Sequence, residues 1–304
     1  MYRKHQLPIK RKIKSWADLY VLERMHKCRS YAPVDKNVYD MELAAESYKH
    51  TKYMSKQWHQ FTYDSIVHSC FRIKYKDNRG KQVKKVIYEK NRQIYDRNIK
   101  EPKVILLQTG LLDAALEVDE GRNLCIISPT YHNSICSGFF YGHVNPETEL
   151  CKESNLYNIA SCAAFYKKWE NNRLRKKQRK GKYIHSLFYM HKVLFERDDI
   201  LKRYDVIMCW PPKCSANHRN AITHNEIEEL IEDRLSYAFS AAEERGVSTV
   251  VLNDWGCDDF LLNNPYTVAR AAKKAMQDKQ IERVVFAIRN KEHYRIFRYV
   301  FDNK

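Results

Sequence analysis

Three short stretches hold the residues of this chain that could do chemistry. In the first, Glu147 and Glu149 bracket Thr148 directly after Pro146. A positioned carboxylate can pass a proton to or from a reacting oxygen. A threonine hydroxyl does not titrate near neutrality and cannot. Acids in a first helical turn also simply complement the helix dipole. Neighbouring side chains on a helix point about 100° apart, so Glu147, Thr148 and Glu149 face different directions. The second stretch is Gly256-Cys257-Asp258-Asp259-Phe260. Glycine there permits a special backbone conformation or a close approach. Two adjacent aspartates could hold a cation, Cys257 reads as a small buried residue, and the Phe260 ring is either a ligand platform or a core anchor. The third runs from Ser128 and Pro129 through Gly138 and Phe139 to Gly142. His132 and His143 lie in or beside it, and imidazoles titrate near physiological pH.

Composition narrows what these residues can belong to. The chain has 304 residues, with 44% hydrophobic and 12% aromatic side chains, enough for a packed core. Eight glycines and eight prolines exclude collagen-like and linker-like chains. No apolar run reaches the roughly 20 residues needed to span a bilayer, and the charged start Met1-Tyr-Arg-Lys-His-Gln lacks a secretory apolar region. The nine cysteines show no Cys-x-x-Cys pair, which points to reduced, buried thiols in a cytoplasmic or nuclear protein and to no structural metal. No cofactor is expected.

The net charge of +17 is unevenly placed. Residues 1–102 hold 24 Lys and Arg against 11 Asp and Glu, and residues 166–183 hold nine against one. The remainder is slightly acidic. A basic segment interleaved with Tyr and Trp is either a solvated surface or a contact for nucleic acid, so 1–102 and 166–183 are the candidate nucleic-acid contacts. No membrane partner is indicated.

The elements that must position the three stretches are legible from residue 103 onward. Buried strands are expected at Lys103–Gln108, Asn123–Ser128, Tyr204–Trp210, Ser248–Asn253 and Glu282–Ile288. Thr109 is placed to cap a helix over Gly110–Val118. Pro146–Cys151 begins another helix, Asn225–Glu244 carries one apolar face of Ile227, Leu230, Ile231, Leu235, Ala238 and Phe239, and Pro265 opens a helix through Met276. Met41–Ile66 reads as one or two helices. Strands alternating with helices give an α/β domain with a mainly parallel, covered sheet. Ligands in such sheets bind outside the carboxyl ends of the strands, which selects the loops 128–141, 210–217 and 254–264.

Those loops carry a resemblance. Gly142-His-Val-Asn-Pro-Glu-Thr-Glu-Leu-Cys-Lys-Glu-Ser-Asn-Leu-Tyr157 is similar to the signature of microbial-type poly(ADP-ribose) glycohydrolases, Gly-Ala-x-Ala-Gln-Glu-Glu-x-Leu-Cys-Arg-x-Ser-x-Leu-Tyr. Leu187–Asp199, Cys209-Trp-Pro-Pro212, Val251–Ala269 and Val284–Ile288 resemble later blocks of the family in the same order. The resemblance implies a three-layer α/β/α macrodomain over 103–304, with a basic, partly helical N-terminal extension over 1–102 and the basic insert at 166–183. It implies ADP-ribose or ADP-ribosylated protein as partner. Ser128, Pro129, Gly138, Phe139, Gly142, Gly256, Cys257, Asp258 and Phe260 would line the ligand cleft. A motif glutamate would protonate the leaving oxygen of a glycosidic bond and then activate water.

The departures from the family pattern fall at the chemistry. Thr148 stands where the second motif glutamate, the family's acid, is expected, and Gly-Cys-Gly becomes Gly256-Cys257-Asp258, followed by Asp259. Carboxylates beside a diphosphate repel it unless paired or swung away. Two readings follow: a diverged nucleotide-binding member whose hydrolysis is lost, or a hydrolase that has rewired its acid to Glu147 or Glu149. A nucleic-acid-associated module built on the same scaffold is the third.

Overall fold

The computed structural model describes residues 41–76, 82–86, 101–130, 136, 138–162, 184–212, 224–258 and 261–302. The basic insert 166–183, residues 1–40, His132, Asp259 and Phe260 lie outside the described residues. The chain forms two compact units: Met1–Ser69, His132–Gln178 and Met190–Arg203 make the first, and Cys70–Tyr131, Arg179–Tyr189 and Tyr204–Lys304 the second.

The described elements are α1 (Met41–Gln57), α2 (His59–His68), β1 (Cys70–Lys76), β2 (Gln82–Val86), β3 (Lys103–Leu107), α3 (Leu111–Glu117), β4 (Leu124–Pro129), a 3-10 turn (Phe139–Tyr141), α4 (Pro146–Lys152), α5 (Leu156–Ala160), β5 (Ile184–Arg197), β6 (Ile200–Cys209), α6 (His224–Glu243), β7 (Thr249–Leu252), α7 (Pro265–Ala275), β8 (Arg283–Ala287) and α8 (Lys291–Asp302). Eight strands form one sheet in the order β2-β1-β5-β6-β4-β7-β8-β3. From β6 to β3 every neighbour is parallel, and β1 pairs antiparallel with both β2 and β5. Asp198 and Asp199 join β5 to β6 with φ of 49° and 64°, the left-handed pair that a two-residue hairpin turn requires.

In the second unit the parallel strands are covered on both faces. Cys125, Ile127, Val250, Leu252, Val284 and Phe286 enter one core with Ile231, Leu235 and Phe239 of α6, Val268 and Ala272 of α7, and Phe297 of α8. Side chains alternate along a strand, so Leu124, Ile126, Val251 and Val285 face the other way, and all four are buried. Helix α3 packs on β4, β7 and β8 and buries Leu111, Leu112, Ala114 and Ala115. This is a three-layer α/β/α arrangement. All six residues of the expected apolar face of α6 are buried.

Three local features differ from expectation. Strands β1 and β2 come from the segment read as an N-terminal extension, yet they belong to the same sheet; Cys70–Lys76 alternates apolar and basic residues, a strand signature that a charge count obscures. Strand β5 spans 14 residues where no strand was expected. The N-cap of α3 is Gly110, not Thr109; the Thr109 hydroxyl points to Asp113 Oδ2 at 3.4 Å, and the Arg289 guanidinium occupies the space beside Gly110. Among the described residues no helix is long and apolar enough to cross a membrane.

Candidate functional site

In the second unit the carboxyl ends of β6, β4 and β7 lie side by side. Pro129 pairs with Cys209 and Ile127 with Leu252, and the Thr130 N–H donates to the Cys209 carbonyl at 3.0 Å. The tips beyond β6 and β7 are then fastened to each other. Gly256 sits at φ +83°, and a Cβ added there would stand 2.6 Å from Pro211 Cβ and 2.7 Å from Asn263 Nδ2. Both the left-handed backbone and the close approach therefore demand glycine. Asn263 Nδ2 donates to the Pro212 carbonyl at 2.8 Å, and the Asn263 N–H donates to the Gly256 carbonyl at 3.2 Å.

Asp258 is turned back into its own loop: its Oδ1 accepts the Leu261 N–H at 2.8 Å. The Cys257 thiol is pushed well above its ordinary range by burial, with the Asp254 and Asp258 carboxylates adding to the effect. It stays protonated and is not a nucleophile at neutral pH.

Four buried side-chain oxygens at these strand ends have no hydrogen-bond partner among the described residues: Ser128 Oγ, Thr130 Oγ1, Asn253 Oδ1 and Asn263 Oδ1. Each such atom costs about 1–3 kcal/mol when buried without a partner, and native structures carry few of them. Ser128 and Thr130 lie at the end of β4, Asn253 at the end of β7, and Asn263 in the loop between β7 and α7. Beneath the β6 tip, Arg234 donates from Nη1 to the Trp210 carbonyl at 3.1 Å. Burial lowers its pKa to about 10, so the guanidinium remains a cation at neutral pH. Of these residues only Ser128 was expected from sequence. Thr130 and Asn253 share one legible signal, a polar residue just past a buried apolar run.

The first unit holds the remaining expected site residues. Gly138 and Gly142, at φ 82° and 73°, bracket the 3-10 turn. Phe139, expected as a ligand contact, is 1% exposed. Its ring centroid lies 5.5 Å from Phe140 and 5.3 Å from Tyr157, so it serves as a core ring. The His143 imidazole packs on Gly138, where a Cβ would come within 2.6 Å of Nδ1.

Helix α4 opens on Asn145, whose Oδ1 accepts the N–H groups of Glu147 and Thr148, both at 3.0 Å, ahead of Pro146 at the first helical position. Thr148 Oγ1 in return accepts the Asn145 N–H at 2.9 Å and lies 2.8 Å from the His143 carbonyl, a capping box. Glu147 is fully buried and Glu149 is half-buried. The Cys136 and Cys151 thiols are hydrogen-bonded to each other beside Glu147, and burial holds both above their ordinary range, Cys136 the more strongly.

Solved structures share this architecture. A poly(ADP-ribose) glycohydrolase from Thermomonospora curvata superposes with a TM-score of 0.66 at 18% identity, over 86% of this chain and 100% of that one. The same enzyme bound to the inhibitor ADP-HPD gives 0.64 at 18% identity, over 86% and 99%. The glycohydrolase from Deinococcus radiodurans in complex with ADP-ribose gives 0.57 at 20% identity, over 66% and 84%. The chain has the macrodomain fold of the microbial poly(ADP-ribose) glycohydrolases. No family model matches the sequence, and no curated protein matches it.

Within this macrodomain fold the strand-end tips of the second unit keep the glycine that the Pro211 contact requires. In the first unit, Thr148 is committed to its own helix end. Among the described residues no group of three or more His, Cys, Asp or Glu side chains is placed to hold a metal ion.

Proposed function

We propose that this protein binds ADP-ribose, free or attached to protein, or a related NAD-derived nucleotide, at the carboxyl ends of β4, β6 and β7, and that it does not hydrolyse by the family's general acid. The observation that carries the binding half is the set of four buried, unpartnered oxygens of Ser128, Thr130, Asn253 and Asn263. A ligand rich in hydroxyl and amino donors satisfies such acceptors, and a nucleotide sugar supplies both. The Arg234 cation beneath the β6 tip favours an anionic ligand, and Asp258 is turned into its loop rather than left free to repel a diphosphate. The shared fold with a glycohydrolase that holds ADP-ribose supports the ligand class.

Loss of hydrolysis is supported by the helix start. The Thr148 hydroxyl cannot act as an acid near neutrality, and it is held in the capping box. Glu147, the first candidate for a rewired acid, is fully buried.

Calorimetry with ADP-ribose tests the first half. Micromolar binding is expected for the wild type, with at least a ten-fold loss in Asn253→Ala. The absence of heat at millimolar ligand overturns it. Release of ADP-ribose from poly(ADP-ribose) and from mono-ADP-ribosylated protein tests the second. No release is expected, whereas turnover abolished by Glu147→Gln or Glu149→Gln establishes the rewired hydrolase instead.

A further inference from the structure

The first unit carries a cationic face that the strand-end reading does not use. Helix α1 buries Ser47, Thr51 and Met54 on one side. On the other it exposes Lys49, Lys52 and Lys56, spaced three and four apart and therefore stacked along one face. None of the three forms an ion pair among the described residues. Lys52 Nζ stands over the Tyr48 ring at 5.9 Å from its centroid. The lysines line an open hollow of about 660 Å³ with Tyr53, Ser55 and His59.

Aromatic rings are interleaved with these charges. Tyr48 is 43% exposed, Tyr53 46% and Phe61 37%. Two exposed carboxylates of α1, Glu42 and Glu46, precede the lysines on the same helix, and a third, Glu196, is held at both oxygens, accepting the Tyr53 hydroxyl at 2.8 Å and the Trp58 indole N–H at 2.9 Å. That pair fixes the Tyr53 ring while its face stays open. No large aliphatic side chain of α1 or α2 is exposed among the described side chains, so a lipid surface or an apolar protein groove has little to grip. Residues 1–40, ahead of α1 in the sequence, hold ten Lys and Arg against four Asp and Glu.

We propose that the exposed face of α1, running into the start of α2, binds single-stranded nucleic acid, with phosphates on Lys49, Lys52 and Lys56 and a base stacked on Tyr53. Flexible phosphate backbone meets an unpaired cationic row, and unstacked bases meet exposed rings; that pairing is how strand-binding surfaces work without reading sequence. A duplex keeps its bases stacked and offers only the phosphate half.

Fluorescence anisotropy of a labelled mixed-sequence 20-nucleotide strand with the full chain, titrated from 50 to 200 mM salt, tests this. The K49Q/K52Q/K56Q variant is expected to bind at least ten-fold more weakly at low salt, and its log K against log salt slope to be shallower by about 2, at roughly 0.7 per lost phosphate contact. Tyr53→Ala is expected to weaken binding by roughly five-fold or more with the slope unchanged. Tyr53→Phe keeps the ring but releases Glu196 Oε1, and is expected to weaken binding clearly less than Tyr53→Ala does. The proposal is overturned by no binding at 50 mM salt, by equal affinity of the triple variant, by Tyr53→Phe failing as Tyr53→Ala does, or by a 20-base-pair duplex binding as tightly as the single strand. Thermal unfolding checks that the variants fold, and the single exchange Lys52→Glu provides a milder perturbation. The inference is independent of the strand-end reading: the triple variant should bind ADP-ribose as wild type does, so either can fail alone.

Discussion

Asn145 and Thr148 cap each other. The Asn145 side chain accepts the Thr148 N–H at 3.0 Å, and the Thr148 hydroxyl accepts the Asn145 N–H at 2.9 Å. Removing one side of this exchange should loosen the start of α4 without touching the strand ends of the second unit. Thr148→Ala is expected to lose about 1 kcal/mol of stability, the usual size of a capping interaction. Urea unfolding measures it, and ADP-ribose affinity should stay within two-fold of wild type. A large loss of affinity would show that the hydroxyl does more than cap.

Ser128 makes the opposite forecast. Its hydroxyl is fully buried with no hydrogen-bond partner among the described residues, so deleting it removes a penalty rather than a bond. Ser128→Ala is expected to leave stability unchanged or to raise it by up to about 1 kcal/mol, while lowering ADP-ribose affinity. Denaturant unfolding beside calorimetry separates the two effects. A stability loss above that size would mean the hydroxyl is satisfied by the fold itself.

Gly256 joins stability to ligand geometry. Alanine there meets both an unfavourable left-handed φ and the Pro211 and Asn263 side chains. The backbone strain alone costs about 1 kcal/mol or more, so Gly256→Ala should destabilise by at least that much and weaken ADP-ribose binding by displacing the tip after β7. The same exchange at Gly121, also at positive φ but with nothing near its Cβ, should be milder and leave binding intact.

His50 sets a pH dependence. Burial pushes its imidazole below the ordinary 6.5, outweighing the hydrogen bond from its ring to the Ser154 carbonyl and the Glu196 and Glu153 carboxylates. The neutral ring is therefore favoured in the folded state, and the unfolded chain takes up the proton first. This part of the stability is present above about pH 6.5 and is lost as pH falls toward the lower folded value. His50→Gln keeps a donor for Ser154 and removes the titration. Urea midpoints between pH 7.5 and 5.5 should fall less for the variant than for wild type; parallel curves would rule out His50 as the source.

Much of the fold is written in local pattern. The six apolar positions of α6 from Ile227 to Phe239 repeat at helical spacing, and all six are buried. The apolar runs of β4, β7 and β8 are short, bounded and buried, which suffices to predict a covered parallel sheet. Gly256 as a required backbone position was equally plain, and so were the helix starts at Pro146 and Pro265.

Other features depend on partners far away in the chain. Residues Ser186–Met190 of β5 are buried without a break, so no alternation marks them as a strand; part of what identifies that strand is its antiparallel pairing with β1. Gly110 rather than Thr109 caps α3, and its side-chain space is taken by Arg289, distant in sequence. Phe139 looked like a ligand ring until Phe140 and Tyr157 enclosed it. Spacing along the chain encodes which face of an element is apolar, since periodicity is a property of neighbours. It does not encode which side chain closes over another, because burial and hydrogen-bond satisfaction belong to atoms that meet only after folding. The Pro211–Gly256 contact and the unpartnered oxygens beside it are of that second kind.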